Sequence, residues 1–203
     1  YDPRMCLRQL RQNHALPHLE SQALKFAQLL HEKAKVNWNS LGVSGSILAG
    51  LHTAQSDIDL VVYGSENCKR VHEALKSLIQ DESRSVKPYT EAELKTLFDF
   101  RSKDTATKFE DFVRTESRKV LQGKFDGRDY FIRCVKEWNE VTERYGSVRY
   151  EPIGDAEVTA TIVDDSAGIF TPCTYGIRDV VAAEEKGNQS LREIASFRGR
   201  FCE

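Results

Sequence analysis

Two aspartates one residue apart, Asp57 and Asp59, open the apolar run D-I-D-L-V-V-Y, and a Gly-Ser pair, Gly45-Ser46, stands a short way upstream. No other stretch constrains the fold as tightly. Successive side chains of a strand point to opposite faces, so Ile58, Leu60 and Val62 share a core face while Asp57, Asp59, Val61 and Tyr63 share the other. At about 3.3 Å per residue the two carboxylates lie roughly 6.5–7 Å apart along the strand. Hard oxygen donors at that spacing suit divalent cations, including a two-metal site whose ions stand about 3.5–4 Å apart.

Upstream, Trp38, Leu41 and Val43 predict a short strand, and Ile47 to Ala54 predict about two turns of helix, giving the order strand, turn, helix, strand. Gly45 lacks a Cβ and lets a phosphate chain approach the backbone. The helix start then offers unpaired N–H groups and a positive dipole end, and Ser46 adds a hydroxyl. A nucleoside triphosphate with its phosphates on Gly45 and Ser46 and its metals on Asp57 and Asp59 is the arrangement this pattern suggests.

Gly45-Ser46, ten intervening residues and then Asp57-Ile58-Asp59 inside S-D-I-D-L-V-V resembles the signature of the DNA polymerase β-type nucleotidyltransferase superfamily. More loosely, D-D-S-A-G-I-F-T-P-C-T-Y at 164–175 and S-F-R-G-R-F-C-E at 196–203 are similar to uncharacterised archaeal-type predicted nucleotidyltransferases. The resemblance implies an α/β (α+β) domain with a mixed sheet flanked by helices. It also implies transfer of a nucleotidyl group from an NTP, ATP among them, to a hydroxyl, with two Mg2+ ions and Mn2+ as the alternative. A third carboxylate on a neighbouring strand is part of that expectation, completing the metal site or activating the acceptor. Asp129, at the start of the strand-like D-Y-F-I-R-C-V-K, is the lead candidate, and Glu157 on A-E-V-T-A-T-I-V is the alternative. Arg133 occupies the middle of the first of these strands, where it would contact the triphosphate or serve as an ion-pair partner.

Composition narrows the class. The chain has 203 residues, 40% hydrophobic and 30% charged, and reads as globular. No run approaches the ~18 apolar residues of a membrane span and no signal peptide opens the sequence, so the expectation is a cytoplasmic protein without a membrane partner. Its five cysteines form no C-x-x-C pair and have no histidine at ligand spacing, which argues for reduced, mostly buried thiols. Net charge alternates, +3 over 1–50, −3 over 51–83, +4 over 84–136 and −6 over 137–203. The basic middle follows the acidic strand and tilts slightly toward a polyanionic acceptor.

Along the chain, residues 1–35 read as helical, with a segment beginning after Pro17 and an apolar side that includes Leu24, Phe26, Leu29 and Leu30. A helix over 66–80 capped by Ser65, one opened by the capping box Thr90/Glu93, and a third over 105–122 stopped by Gly123 follow. The two later helices carry Arg101, Lys103, Lys108, Arg114, Arg118 and Lys119, of which Arg114 and Arg118 stand four apart and could share a face toward phosphates or pair with Glu110 and Glu116. Asp126-Gly127 is a turn before the strand 129–136. Beyond it, short strands are expected near 147–151, 157–163, 168–171 and 175–181, with Val158, Ala160 and Ile162 inward and turns at Gly146, Gly154, Gly168, Gly176 and Gly187. This divides the chain into a nucleotidyltransferase domain, 1–140, and a small β-rich region, 141–203, whose last residues read as the entry to a truncated strand.

Three functions follow as expectations. One is a metal-dependent nucleotidyltransferase acting on an RNA end, a protein or a small molecule, with release of pyrophosphate. The others are a non-catalytic nucleotide- or RNA-binding module and an antitoxin-like protein of the same fold that modifies a partner protein. The sequence assigns no oligomeric state.

Overall fold

The computed structural model describes residues 1–81, 85–103, 105–144, 146–182 and 191–203. The chain forms two compact units, Tyr1–Arg133 and Cys134–Glu203.

The first unit begins with two helices. In α1 (Pro3–Gln12) the Asp2 side chain accepts from the N–H groups of Arg4 and Met5, and Pro3 occupies the first helical position, where no backbone N–H is needed. In α2 (His18–Ala34), Ala23, Phe26, Ala27, Leu30 and Ala34 recur at helical spacing and are buried. Phe26 is the centre of the core, stacked at 4.5 Å on Phe125 and tilted at 4.8 Å against Tyr130.

Five strands form a mixed sheet in the order β1-β2-β5-β4-β3, from β1 (Leu41–Val43), β2 (Ile58–Tyr63), β3 (Val86–Lys87), β4 (Gln122–Phe125) and β5 (Arg128–Val135). β1 pairs antiparallel with β2, joined by the five-residue α3 (Gly45–Ala49). The helix is shorter than the two turns expected because it stops at Gly50. Ile58, Leu60 and Val62 are buried on one face of β2, as the period of two requires, and α2 packs on β2 with α4 (Ser65–Gln80). α4 buries Cys68, Val71, Leu75 and Leu78, and Ser65 is its first residue rather than its cap. β4 and β5 form a hairpin through Asp126-Gly127, both at positive φ, the conformation a two-residue turn of the right twist needs.

Two further helices stand beside β4. α5 (Glu91–Arg101) carries the expected capping box, with Thr90 and Glu93 satisfying one another. α6 (Phe109–Glu116) is only half the helix predicted over 105–122. The chain leaves it at Ser117 and enters β4, so Gly123 is a strand residue and not a helix stop. A Cβ on Gly123 would meet the Lys87 carbonyl of β3 at 2.5 Å, and this close strand approach is why glycine stands there. Arg118 lies past the end of α6, and Arg114 pairs with Asp111, so the expected arginine face does not form.

The second unit is built on an antiparallel sheet in the order β6-β7-β8, from β6 (Val158–Ala167), β7 (Cys173–Ala182) and β8 (Glu193–Ser196). The expected strands at 147–151 and 168–171 are absent among the described residues, and Gly176 lies inside β7, opposite Asp164 at a register shift, instead of in a turn. Ile162, expected inward, is exposed, whereas its partner Ile177 is buried. Gly199–Phe201 is a 3-10 turn rather than a strand entry. Gly187 lies outside the described residues. All five cysteines are free thiols, four of them buried.

No helix among the described residues is long and apolar enough to cross a membrane.

Candidate active site

The Gly-Ser turn and the D-x-D strand meet in space. Gly45 has φ +58°, and a Cβ built on it would stand 1.8 Å from Asp59 Oδ2. Only a residue without a side chain leaves the Asp59 carboxylate where it is. Ser44 donates its N–H to the Asp59 carbonyl at 2.9 Å, which fixes the turn to the strand from the backbone side. Ser46 Oγ, on the residue that follows Gly45, is buried and has no hydrogen-bond partner.

Asp57 stands exposed just before β2, and Asp59 is half-buried on it. Burial pushes the Asp59 carboxyl up from 3.8 to about 6, the Asp57 charge adds to the rise, and Arg133 draws it partly back. A carboxylate whose ionisation is opposed by burial and by a neighbouring carboxylate is one that a cation would relieve. Among the described residues no group of three or more His, Cys, Asp or Glu is gathered to hold a metal. The pair by itself fits a hard cation such as Mg2+, which takes one or two protein carboxylates and completes its shell with water and phosphate oxygens.

A cleft of about 700 Å³ opens beside the pair. Asp57, Asp59 and Asp129 all line it, so the three carboxylates singled out in the sequence share one cavity. Asp129 is the first outward residue of a β5 face that continues with Phe131 and Arg133, while Tyr130 and Ile132 are buried behind. Its carboxylate is engaged by Lys124, whose Nζ lies 3.0 Å from Asp129 Oδ2 and 3.5 Å from Glu93 Oε1. The Tyr89 hydroxyl also bonds to Asp129, and burial with that bond holds the phenol well above its usual range. Glu157, the alternative third carboxylate, lies in the second unit, immediately before β6.

Two features of the site carry no local sequence signal. Arg128 donates to the carbonyls of Ala54 and Ser56, both at 2.8 Å, and to Gln22 Oε1 at 2.6 Å, tying the loop that delivers Asp57 to the start of β5 and to α2. Glu116, buried at the end of α6, accepts from Arg101 at 2.7 Å, from Lys119 at 2.6 Å and from Gln122, while Arg101 also donates to Gln122 Oε1 at 3.2 Å. Arg101 and Gln122 line the cleft.

The helix-flanked mixed sheet is consistent with a nucleotidyltransferase fold. The comparisons agree: residues 25–122, from within α2 to the first residue of β4, match the family model described as Nucleotidyltransferase domain. The chain is also 34% identical over 179 residues to the uncharacterised protein MJ1086 of Methanocaldococcus jannaschii, covering 88% of this chain and 50% of that protein. It thus spans about half the length of that curated relative. No solved structure matches it.

Proposed function

We propose that the chain is a metal-dependent nucleotidyltransferase that moves a nucleoside monophosphate from an NTP to an acceptor hydroxyl and releases pyrophosphate. The observation that carries this reading is the close approach of Gly45 to the Asp59 carboxylate, with the orphaned hydroxyl of Ser46 on the next residue. A phosphate oxygen would satisfy Ser46, and the backbone at Gly45, stripped of a side chain, lets the phosphate chain lie close to Asp59.

Asp57 and Asp59 would hold the divalent cations, Mg2+ by the hardness of the donors. When bound, such ions supply charge neutralisation at the transferring phosphoryl group. The acceptor oxygen forms its bond to the α-phosphorus as the bond from that phosphorus to the β-bridging oxygen breaks, and pyrophosphate departs with the electron pair. Asp129 stands where it could take the acceptor's proton, with Lys124 and Tyr89 fixing its orientation. Arg133, whose charge acts on Asp59, would offset developing negative charge.

Incubating the chain with each α-labelled NTP, a divalent cation and cellular RNA or protein tests the reading. Label should pass to an acceptor with the wild type and not with Asp57→Ala/Asp59→Ala.

A second reading, a non-catalytic nucleotide-binding module, is favoured by one observation: Asp129 spends its charge on Lys124 and gathers no three-carboxylate metal group with the pair. Binding of an Mg–NTP by the wild type without transfer to any acceptor would select it.

A further inference from the structure

The cleft extends away from the Gly-Ser turn. β2 has β1 on one side and β5 on the other, and Gly45-Ser46 belong to the β1 side. None of residues 41–54 lines the cleft, which runs instead from Asp57 and Asp59 over β5 to β4 and α5. If the triphosphate lies at Gly45 and Ser46, as the proposed function has it, the cleft is what remains on the opposite side of the carboxylates, where the acceptor must bring its hydroxyl.

Beyond the carboxylates, the wall of the cleft has two chemical features. One is aromatic: Phe100 lines it while 70% exposed, and Phe131 lines it from β5 with Arg133 placed 5.5 Å from its ring. A large aromatic ring left in water at a cavity wall is a surface on which a flat, apolar group gains by stacking. The other is a prepositioned cation. Arg101 donates to Glu116 and Gln122 through two N–H groups, and a guanidinium has five. Its remaining donors are held beside the cavity by a buried carboxylate, so a ligand phosphate would meet them with little ordering cost.

We propose that this wall is the acceptor subsite and that the acceptor carries a nucleotide: its base stacks on Phe100 and Phe131, its phosphate meets Arg101, and its hydroxyl reaches Asp129 and the Asp57–Asp59 pair. A protein side chain or a sugar could use a ring or the guanidinium singly, whereas a nucleotide brings a flat base and a phosphate together and so uses both. The same chemistry is offered by the 3′ end of a single-stranded nucleic acid and by a free mononucleotide.

The test measures binding, so that it does not depend on turnover. A fluorescent single-stranded oligoribonucleotide is titrated by anisotropy against the wild type, Phe100→Ala and Arg101→Lys, without NTP and with Ca2+ present, and competed with unlabelled oligonucleotide or with AMP. Phe100→Ala is expected to weaken binding about tenfold at unchanged melting temperature, because the ring is exposed. Arg101→Lys, which keeps the charge and loses the fork, is expected to weaken it three- to tenfold, and its melting temperature reports any loss of the Glu116 contact. Competition by the oligonucleotide alone identifies a nucleic-acid end, and equal competition by AMP identifies a free nucleotide. NTP affinity, measured separately, should be unchanged in both variants. Absence of oligonucleotide and AMP binding, or indifference of that binding to Phe100→Ala, overturns the proposal, as does label transfer to protein that Phe100→Ala leaves intact. Transfer activity lost in Asp57→Ala/Asp59→Ala but present in the wild type would keep the proposed function standing even then.

Discussion

The backbone of Gly45 lies against the Asp59 carboxylate: a Cβ on Gly45 would be 1.8 Å from Asp59 Oδ2. Fourteen residues apart in sequence, they are one feature of the site. Gly45→Ala should therefore lose transfer activity by at least a hundredfold. It should also cost about 1–2 kcal/mol of stability, because φ +58° disfavours any Cβ. Transfer assays and urea denaturation on the same preparation check both halves.

Asp59 should make stability fall as pH rises. Its carboxyl titrates at about 6 in the folded chain and near 3.8 unfolded, so between those values the folded state binds the proton more tightly. The stability present below about pH 4 is lost progressively up to about pH 6, and the full cost applies above it. For a dry site the cost would be about 3 kcal/mol, and solvent at a half-open carboxylate reduces this to ~1–2 kcal/mol. Asp59→Asn is accordingly expected to melt higher than the wild type at pH 7.5 and about equally at pH 4, by differential scanning fluorimetry.

Addition of Mg2+ or Mn2+ should raise the wild-type melting temperature at pH 7.5, where Asp59 is ionised. The rise should vanish at pH 5, where Asp59 holds its proton, and in Asp57→Ala/Asp59→Ala at either pH. A rise that persists in the double variant would place the cation elsewhere.

Arg128 holds the loop before Asp57 through two backbone carbonyls. Arg128→Met should leave the hairpin intact yet loosen that loop, giving faster amide exchange over residues 51–57 and a ten- to hundredfold lower transfer rate. Unchanged exchange there would show that the loop is held by other contacts.

Glu116→Ala removes the buried carboxylate between Arg101 and Lys119. Leaving those cations without it should destabilise the fold by about 3–5 kcal/mol, read as a lower urea midpoint.

Local signals suffice for the β1–α3–β2 order: a turn that requires glycine, a strand with a period of two, and the face of Asp59, which follows from that period, whereas Asp57 precedes β2 and its face does not. They also suffice for the α5 capping box and the Asp126-Gly127 hairpin, which depend on residues three and one apart. What the tertiary structure decided depends on long-range pairing. Residues 117–122 fall within the helix expected over 105–122, but the chain leaves α6 after Glu116, and pairing with β3 and β5 sets Gln122–Phe125 as a strand. The pairing of β2 with β5 brings Asp129 into one cleft with Asp57 and Asp59, across some seventy residues of chain. The clamps made by Arg128 and Glu116 join elements whose approach no local pattern encodes, since an arginine or a glutamate reads the same in sequence whether it is solvated or buried in an ion cluster.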